Sequence, residues 1–255
     1  MKARPYILAE TNWKAVKATD YQLAVLPWGA TEAHNYHLPY CTDNAQCDYI
    51  AAEAAKIAWD SGAKVIVLPT VPFGVNTGQL DVKLDLNLYP STQMAILNDL
   101  TEVLNRQEIH KLLILNGHGG NDFKQMVREL GARFPEMFIS ICNWYNVADW
   151  QDFFTDLGDH AGELETSVML HISPELVRPL SEAGDGKTKN NKITGIREGW
   201  AWSERPWTKV TNDTGSGNPK LASAHKGDEF LKVVVRKISS LFQEIAEADT
   251  NDLYD

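Results

Sequence analysis

The sequence predicts an α/β fold, three-layer α/β/α, in which a mostly parallel sheet carries helices on both faces. Apolar runs of strand length alternate with longer stretches of helical period along the first half of the chain. Those runs are continuously apolar rather than alternating in polarity, the pattern of strands buried on both faces. No linker, internal repeat or low-complexity tract interrupts the 255 residues, so residues 1–255 read as one domain.

Strands are expected at Leu23–Leu26, Lys64–Leu68, Lys111–Leu115 and Phe138–Cys142. Asn44 to Trp59 reads as a helix with an Asn or Asp cap, an alanine-rich body and Gly62 to close it. Ser91 to Asn105 follows Tyr89-Pro90, with Ser91 as cap and Met94, Leu97, Leu100 and Leu104 on one face. Asn121 to Phe134 is a third helix, stopped by Pro135. Another begins within His160–Ser167. Beyond Pro179 the chain turns polar, and Ser181 to Lys192 reads as a loop. Trp200, Trp202 and Trp207 follow closely, and are expected to cover core or a subunit contact rather than act as a ligand lid. The last helix, roughly Ala222 to Ala248, sets Phe230, Val233, Val234, Ile238, Leu241 and Ile245 on one stripe.

Composition excludes several classes of function. The net charge is −10, from 34 acidic against 24 basic residues. That balance argues against nucleic acid and against an anionic membrane as partners. No apolar run approaches the ~20 residues of a transmembrane helix. Met1-Lys2-Ala3-Arg4-Pro5-Tyr6 leads into no apolar h-region, so no signal peptide is expected. Cys41, Cys47 and Cys142 are an odd set without a CxxC, which fits a reducing cytoplasm.

Three segments carry chemistry. In Glu32-Ala33-His34-Asn35-Tyr36-His37 and on to Asp43, two carboxylates and two imidazoles follow the first strand. Carboxylate and imidazole donors on such a loop suit Zn²⁺, Mn²⁺ or Fe²⁺ and leave room for water, although a polar surface loop has the same composition. Cys41 offers a soft donor nearby, but a small buried thiol is the commoner role. Asn116-Gly117-His118-Gly119-Gly120-Asn121 follows the third strand. Its glycines allow close backbone approach around His118. The competing reading, a phosphate cradle, lacks both the dinucleotide spacing and a P-loop Lys-Ser/Thr pair. His160-Ala161-Gly162-Glu163-Leu164-Glu165 puts a histidine and two acids at a helix start. The acids suit the positive end of the helix dipole equally well as caps, but the histidine does not. In open parallel sheets ligands bind beyond the carboxyl ends of strands, which puts Glu32, His34 and His118 on one edge.

Together these segments resemble the creatininase (creatinine amidohydrolase) family. The resemblance rests on Gly29-x-x-Glu32-x-His34-x-x-His37-Leu38-Pro39-x-x-Thr42-Asp43, Asn116–Asn121 and His160-Ala161-Gly162-x-x-Glu165-Thr166-Ser167, with Gly217-Asn218-Pro219-x-x-Ala222-Ser223-x-x-x-Gly227 before the final helix. It implies the creatininase-like α/β/α fold, often a hexamer or other homo-oligomer. It implies two divalent metal ions, Zn²⁺ foremost with Mn²⁺ or Fe²⁺ as alternatives. The reaction would be hydrolysis of a C–N bond of a cyclic or related small amide by a metal-bridging hydroxide. Carried over by position, Glu32, His34, Asp43 and His118 become metal ligands, Asp43 bridges, and His160 is catalytic, as the proton donor to the leaving nitrogen. His37 is read as an outer hydrogen-bonding partner. Relatives that hydrolyse creatinine place a carboxylate where this chain has Gly120, which moves the fifth ligand to Glu165, with Glu163 as fallback.

Two further departures bear on substrate. Asp156-Leu157 stands where those relatives have a Trp-Asp pair whose indole stacks on the substrate ring; Trp144 or Trp150 is the candidate replacement. Phe73–Gln79 replaces a loop that carries a Ser and a Glu-His pair. A nucleotide- or cofactor-binding α/β protein and a non-catalytic binding relative are the alternative readings.

Overall fold

Every expected apolar run forms a strand. The computed structural model describes residues 3–156 and 158–254. Strand β1 is Leu23–Trp28, β2 is Val65–Val67, β3 is Lys111–Asn116 and β4 is Phe138–Asn143. They pair in parallel in the order β2-β1-β3-β4. Successive side chains of a strand point to opposite faces. Leu23, Val25, Val65, Val67, Leu113 and Leu115 therefore line one core, and Ala24, Leu26, Ile66, Leu112 and Ile114 line the other. Burial on both sides is why the runs lack alternation.

β1 extends two residues past the expected end, through Pro27. Proline in a central strand normally removes a ladder donor. Here β2 has already ended on that side, and Pro27 needs only its carbonyl, which accepts from the Val71 N–H at 3.0 Å.

The helices are α1 (Trp13–Lys17), α2 (Thr42–Asp60), α3 (Pro90–Arg106), α4 (Lys124–Arg133), α5 (Glu163–Ile172), α6 (Thr194–Arg197), α7 (Trp207–Val210) and α8 (Ala224–Glu247). Helices α2, α5 and α8 pack together on one face of the sheet. Helices α3 and α4 cover the other. On α8, Phe230, Val234, Ile238 and Ile245 are buried as expected, joined by Leu231, Val235 and Phe242, while Val233 and Leu241 flank the stripe. Among the described residues no helix is long and apolar enough to cross a membrane.

Three helix starts differ from expectation, each for a physical reason. Helix α2 begins at Thr42, so Asp43 and Asn44 lie in its first turn and cap nothing. Helix α3 begins at Pro90, which fits the first helical position because its missing N–H would be unpaired there anyway. Helix α4 begins only at Lys124, because Asn121 is engaged elsewhere: it accepts from the Val75 N–H at 3.1 Å and from Gln93 Nε2 at 2.7 Å.

Strand order positions the site. Helix α2, which follows β1, lies on one face; α4, which follows β3, lies on the other. Adjacent strands whose connections diverge in this way leave a crevice at their carboxyl ends.

Candidate metal centre

The crevice between β1 and β3 gathers five of the six predicted donors and the predicted proton donor from five chain segments. Glu32 and His34 come from the loop after β1, Asp43 from the first turn of α2, His118 from the loop after β3, Glu165 from the first turn of α5, and His160 from the segment ahead of it. Ligand atoms of Glu32, Asp43 and His118 form one tight group. Those of His34, Asp43 and Glu165 form a second, and those of Glu32, His34 and His160 a third. Asp43 faces both ways. Its Oδ1 is 3.0 Å from His34 Nε2 and its Oδ2 is 3.1 Å from His118 Nδ1. Glu32 Oε1 is 3.0 Å from His118 Nδ1, and Glu165 Oε1 is 3.8 Å from His34 Nε2. Glu165, with 18% of its side chain exposed, is the edge at which the otherwise buried cluster meets solvent.

Hydrogen bonds outside the cluster fix each imidazole. A backbone carbonyl can only accept, so His34 Nδ1 donates to Glu32 O (3.2 Å), His118 Nε2 to Val75 O (3.0 Å) and His160 Nε2 to Ala33 O (2.9 Å). In the neutral imidazole the opposite nitrogen then presents a lone pair to the cluster, the second-sphere pattern of metal-bound histidines. A lone pair 3.0 Å from a carboxylate oxygen is repulsive unless a cation lies between them. Without a metal that cation is a proton. Burial acts to lower the His34 pKa, but Asp43, Glu165 and Glu32 outweigh it and raise it to about 10. His118 is likewise pulled well above its ordinary value: burial opposes this, and Glu32 and Asp43 prevail. Burial acts to raise Glu32, and the charges of His118 and His160 hold it low. Burial raises Glu165 further than His34 and His160 lower it. Asp43 Oδ2 is buried and accepts no conventional hydrogen bond. An orphaned carboxylate oxygen, three acids and inward lone pairs fit divalent cations, which displace protons on binding.

His160 differs from the other two. Its Nδ1 is 3.7 Å from Glu32 Oε1, beyond hydrogen-bonding range. Its ring packs on His34 (centroids 4.2 Å apart) and on Trp207 (4.7 Å). The next residue, Ala161, has φ 51°, a left-handed conformation that costs a non-glycine residue roughly 1–2 kcal/mol. This strain turns the Ala161 N–H onto Glu165 Oε2 at 2.5 Å, so one backbone kink orients both His160 and Glu165.

Close packing around the loops leaves no room for the alternatives. A Cβ on Gly117 would lie 2.4 Å from Cys47 Sγ and 3.3 Å from Asp43 O, so glycine is needed to bring His118 beside α2. A Cβ on Gly120 would lie 2.4 Å from Val75 O and 2.5 Å from His118 Nε2, which closes that position to a carboxylate. His37 is buried outside the cluster, bonds Thr166 Oγ1 at 2.8 Å, and is lowered to about 4 by burial and by His34. It ties the β1 loop to the helix that bears Glu165.

Glu163 points away from the cluster. Its Oε2 accepts from Thr155 N (2.8 Å), Thr155 Oγ1 (3.0 Å) and Asp156 N (3.0 Å), and its Oε1 pairs with Lys226. Glu163→Ala is therefore expected to cost about 2–3 kcal/mol in urea unfolding, allowing for the partial exposure of Lys226, with metal content unchanged. Glu165→Gln is expected to do the reverse, weakening metal retention at near-parental stability.

Some expectations do not meet at the site. Among the described residues Cys41 belongs to no donor group. Trp144 is locked in the core against Phe230, and Trp150 packs on the same cluster. Leu157 of the Asp156-Leu157 pair lies outside the described residues, as do Met1 and Lys2. Gly117–Gly120 precedes α4 by several residues, so no helix N-terminus backs it as a phosphate cradle. The tryptophan cluster splits. Trp200 and Trp202 are 74% and 86% exposed rather than in the core, whereas Trp207 packs on His160. Gln79, the last residue of the Phe73–Gln79 loop, donates its Nε2 to Glu32 Oε2, a contact that the loop's sequence does not indicate.

The family model described as creatinine amidohydrolase matches residues 9–242. A Bacteroides fragilis NCTC 9343 protein, with a provisional creatinine amidohydrolase name and a crystal structure, is 45% identical across 100% of both chains, with a TM-score of 0.93. A creatininase mutant of the Zn–Zn type shares the fold: TM-score 0.79, 22% identity, 96% of this chain and 100% of that one. A mycofactocin precursor peptide peptidase of Mycobacterium ulcerans (strain Agy99) is 31% identical over 129 residues. That match covers 49% of this chain and 45% of the relative, so the chain spans under half the length of the curated relative it matches.

Proposed function

This chain belongs to the creatininase family, and we propose that it hydrolyses an amide C–N bond at a pair of divalent metal ions. The observation that carries this reading is Asp43, whose two oxygens serve two separate donor groups. Glu32, Asp43 and His118 would hold one ion; His34, Asp43 and Glu165 would hold the other. Imidazole and carboxylate donors without thiolate suit Zn²⁺, taken first, and Mn²⁺ or Fe²⁺, and solved creatininases named as Zn–Zn and Mn forms support zinc and manganese alike. Such a pair supplies a Lewis acid for the amide carbonyl and a hydroxide at neutral pH. The chain's own residues do the rest. Ala33 O anchors the His160 Nε2–H, so the Nδ1 lone pair would take a proton from the attacking water and pass it to the leaving nitrogen. Trp207, edge-on to the His160 ring at 4.7 Å between centroids, would shield that imidazole from water.

The substrate reading is a cyclic or related small amide. A second reading, a peptide bond, is favoured by the identity shared with the mycofactocin precursor peptide peptidase. Hydrolysis assays of the metal-replete protein on creatinine, other cyclic amides, N-formylated heterocycles and short peptides separate the two. No turnover in any class would favour the non-catalytic relative instead. Creatinine is expected to be poor, with kcat/KM below ~10⁴ M⁻¹s⁻¹, the lower end of the usual range. The closed Gly120 position supports this. A higher value would mean that the creatinine pocket has been rebuilt from other residues.

The same reading makes residues 1–255 one domain of a cytoplasmic homo-oligomer, a hexamer by family resemblance. Exposed Trp200, Trp202, Ile193 and Leu84 support burial between subunits. The free thiols support a reducing compartment, and the acidic balance supports a small-molecule partner over nucleic acid or membrane.

A further inference from the structure

Gln79 ends the 3₁₀ turn Thr77–Gln79 and is 2% exposed. Its amide has one allowed orientation, because Glu32 Oε2 can only accept and so must face Nε2. That leaves Gln79 Oε1 buried without a partner. Asn76, the residue just before the turn, carries a second such atom, Oδ1. An unpaired buried acceptor is costly, and a bound donor is one standard reason for it.

The turn abuts the wall of the centre. A Cβ on Gly78 would lie 2.3 Å from Arg205 O and 3.3 Å from Trp207 Cδ1, so the indole rests directly against the turn. Trp207 reaches from there to His160, which in turn lies beside Glu32. Gln79 and His160 thus meet Glu32 from two directions, and Trp207 spans from His160 back to Gly78, the residue beside Gln79. The indole is held in place from outside. Arg205 stacks over it at 4.0 Å and bonds Asp159 at 3.0 Å, and Thr208 Oγ1 bonds Asp81 Oδ2 at 2.5 Å.

We infer that Gln79 Oε1 recognises an N–H group of the substrate, with Trp207 as the apolar wall opposite. This rests on the amide-hydrolase reading, and narrows it to amides that keep a hydrogen on nitrogen. A fully N-alkylated amide would leave the buried acceptor unpaired. A site built to bond an N–H rejects an analogue without it far more strongly than it rejects a missing methylene.

The test titrates hydantoin, a flat cyclic amide with two N–H groups, and 1,3-dimethylhydantoin, which has none, into metal-loaded protein by calorimetry. Hydantoin is expected to bind at least ~10-fold more tightly. Gln79→Met is expected to remove that preference, and Trp207→Ala to weaken both ligands alike. Equal affinity of the parental protein for the two, no binding of either, or a preference that survives Gln79→Met would overturn the assignment. Metal analysis of the same samples reports separately on the amide-hydrolase reading, because its failure would appear as missing metal whatever the ligand preference.

Discussion

Asp43→Ala is expected to empty both ion sites and abolish turnover. Asp43 meets His34 through one oxygen at 3.0 Å and His118 through the other at 3.1 Å, a closer link between the two sides than the 3.8 Å from Glu32 to His34. Without it, each ion would keep only two of its protein donors: Glu32 and His118 on one side, His34 and Glu165 on the other. Elemental analysis should find both equivalents gone, with kcat/KM down roughly 10³-fold or more, as for groups that act as a unit. Circular dichroism should stay native, because the cores on either side of the sheet do not involve this side chain. Cys41→Ser is the control and should keep both ions. Retention of one full equivalent by Asp43→Ala would make the two sites independent.

The second large effect is expected at His160. If Nδ1 delivers the proton, His160→Ala should keep both metals and the fold but lower kcat by ~10²–10⁴, the usual contribution of a general acid–base group. An amide with a good leaving group needs less protonation, so its rate should fall less. The pairing of kcat with metal content is decisive, because the His160 ring also touches His34. Loss of metal, or equal losses for good and poor leaving groups, would give His160 a ligand or packing role instead.

How much of this was legible in sequence follows from range. The strands were, because burial on both faces leaves unbroken apolar runs. The start of α4 was not, because Asn121 looks like a helix residue until its bonds to Val75 and Gln93 are seen. Glu32, His34 and His118 were recognisable as strand-end donors. Their convergence depends on the order β2-β1-β3-β4, which no local segment encodes. The choice between Glu163 and Glu165 is a matter of helix faces. Residues two apart on a helix point to nearly opposite sides, so only the docking of α5 decides that Glu163 meets Lys226 and Glu165 meets the cluster. Trp207 and the Phe73–Gln79 loop stand out in the sequence, but the contacts of Gln79 with Glu32 and of Trp207 with His160 each span 47 residues and follow only from the fold.

The central claim is a dinuclear centre with Asp43 shared. The most direct test is the metal stoichiometry of protein purified without chelator and then reconstituted with Zn²⁺ or Mn²⁺, read by elemental analysis per chain. The geometry predicts two tightly held equivalents, both lost from Asp43→Ala. Less than one equivalent of either metal in the parental protein would contradict it.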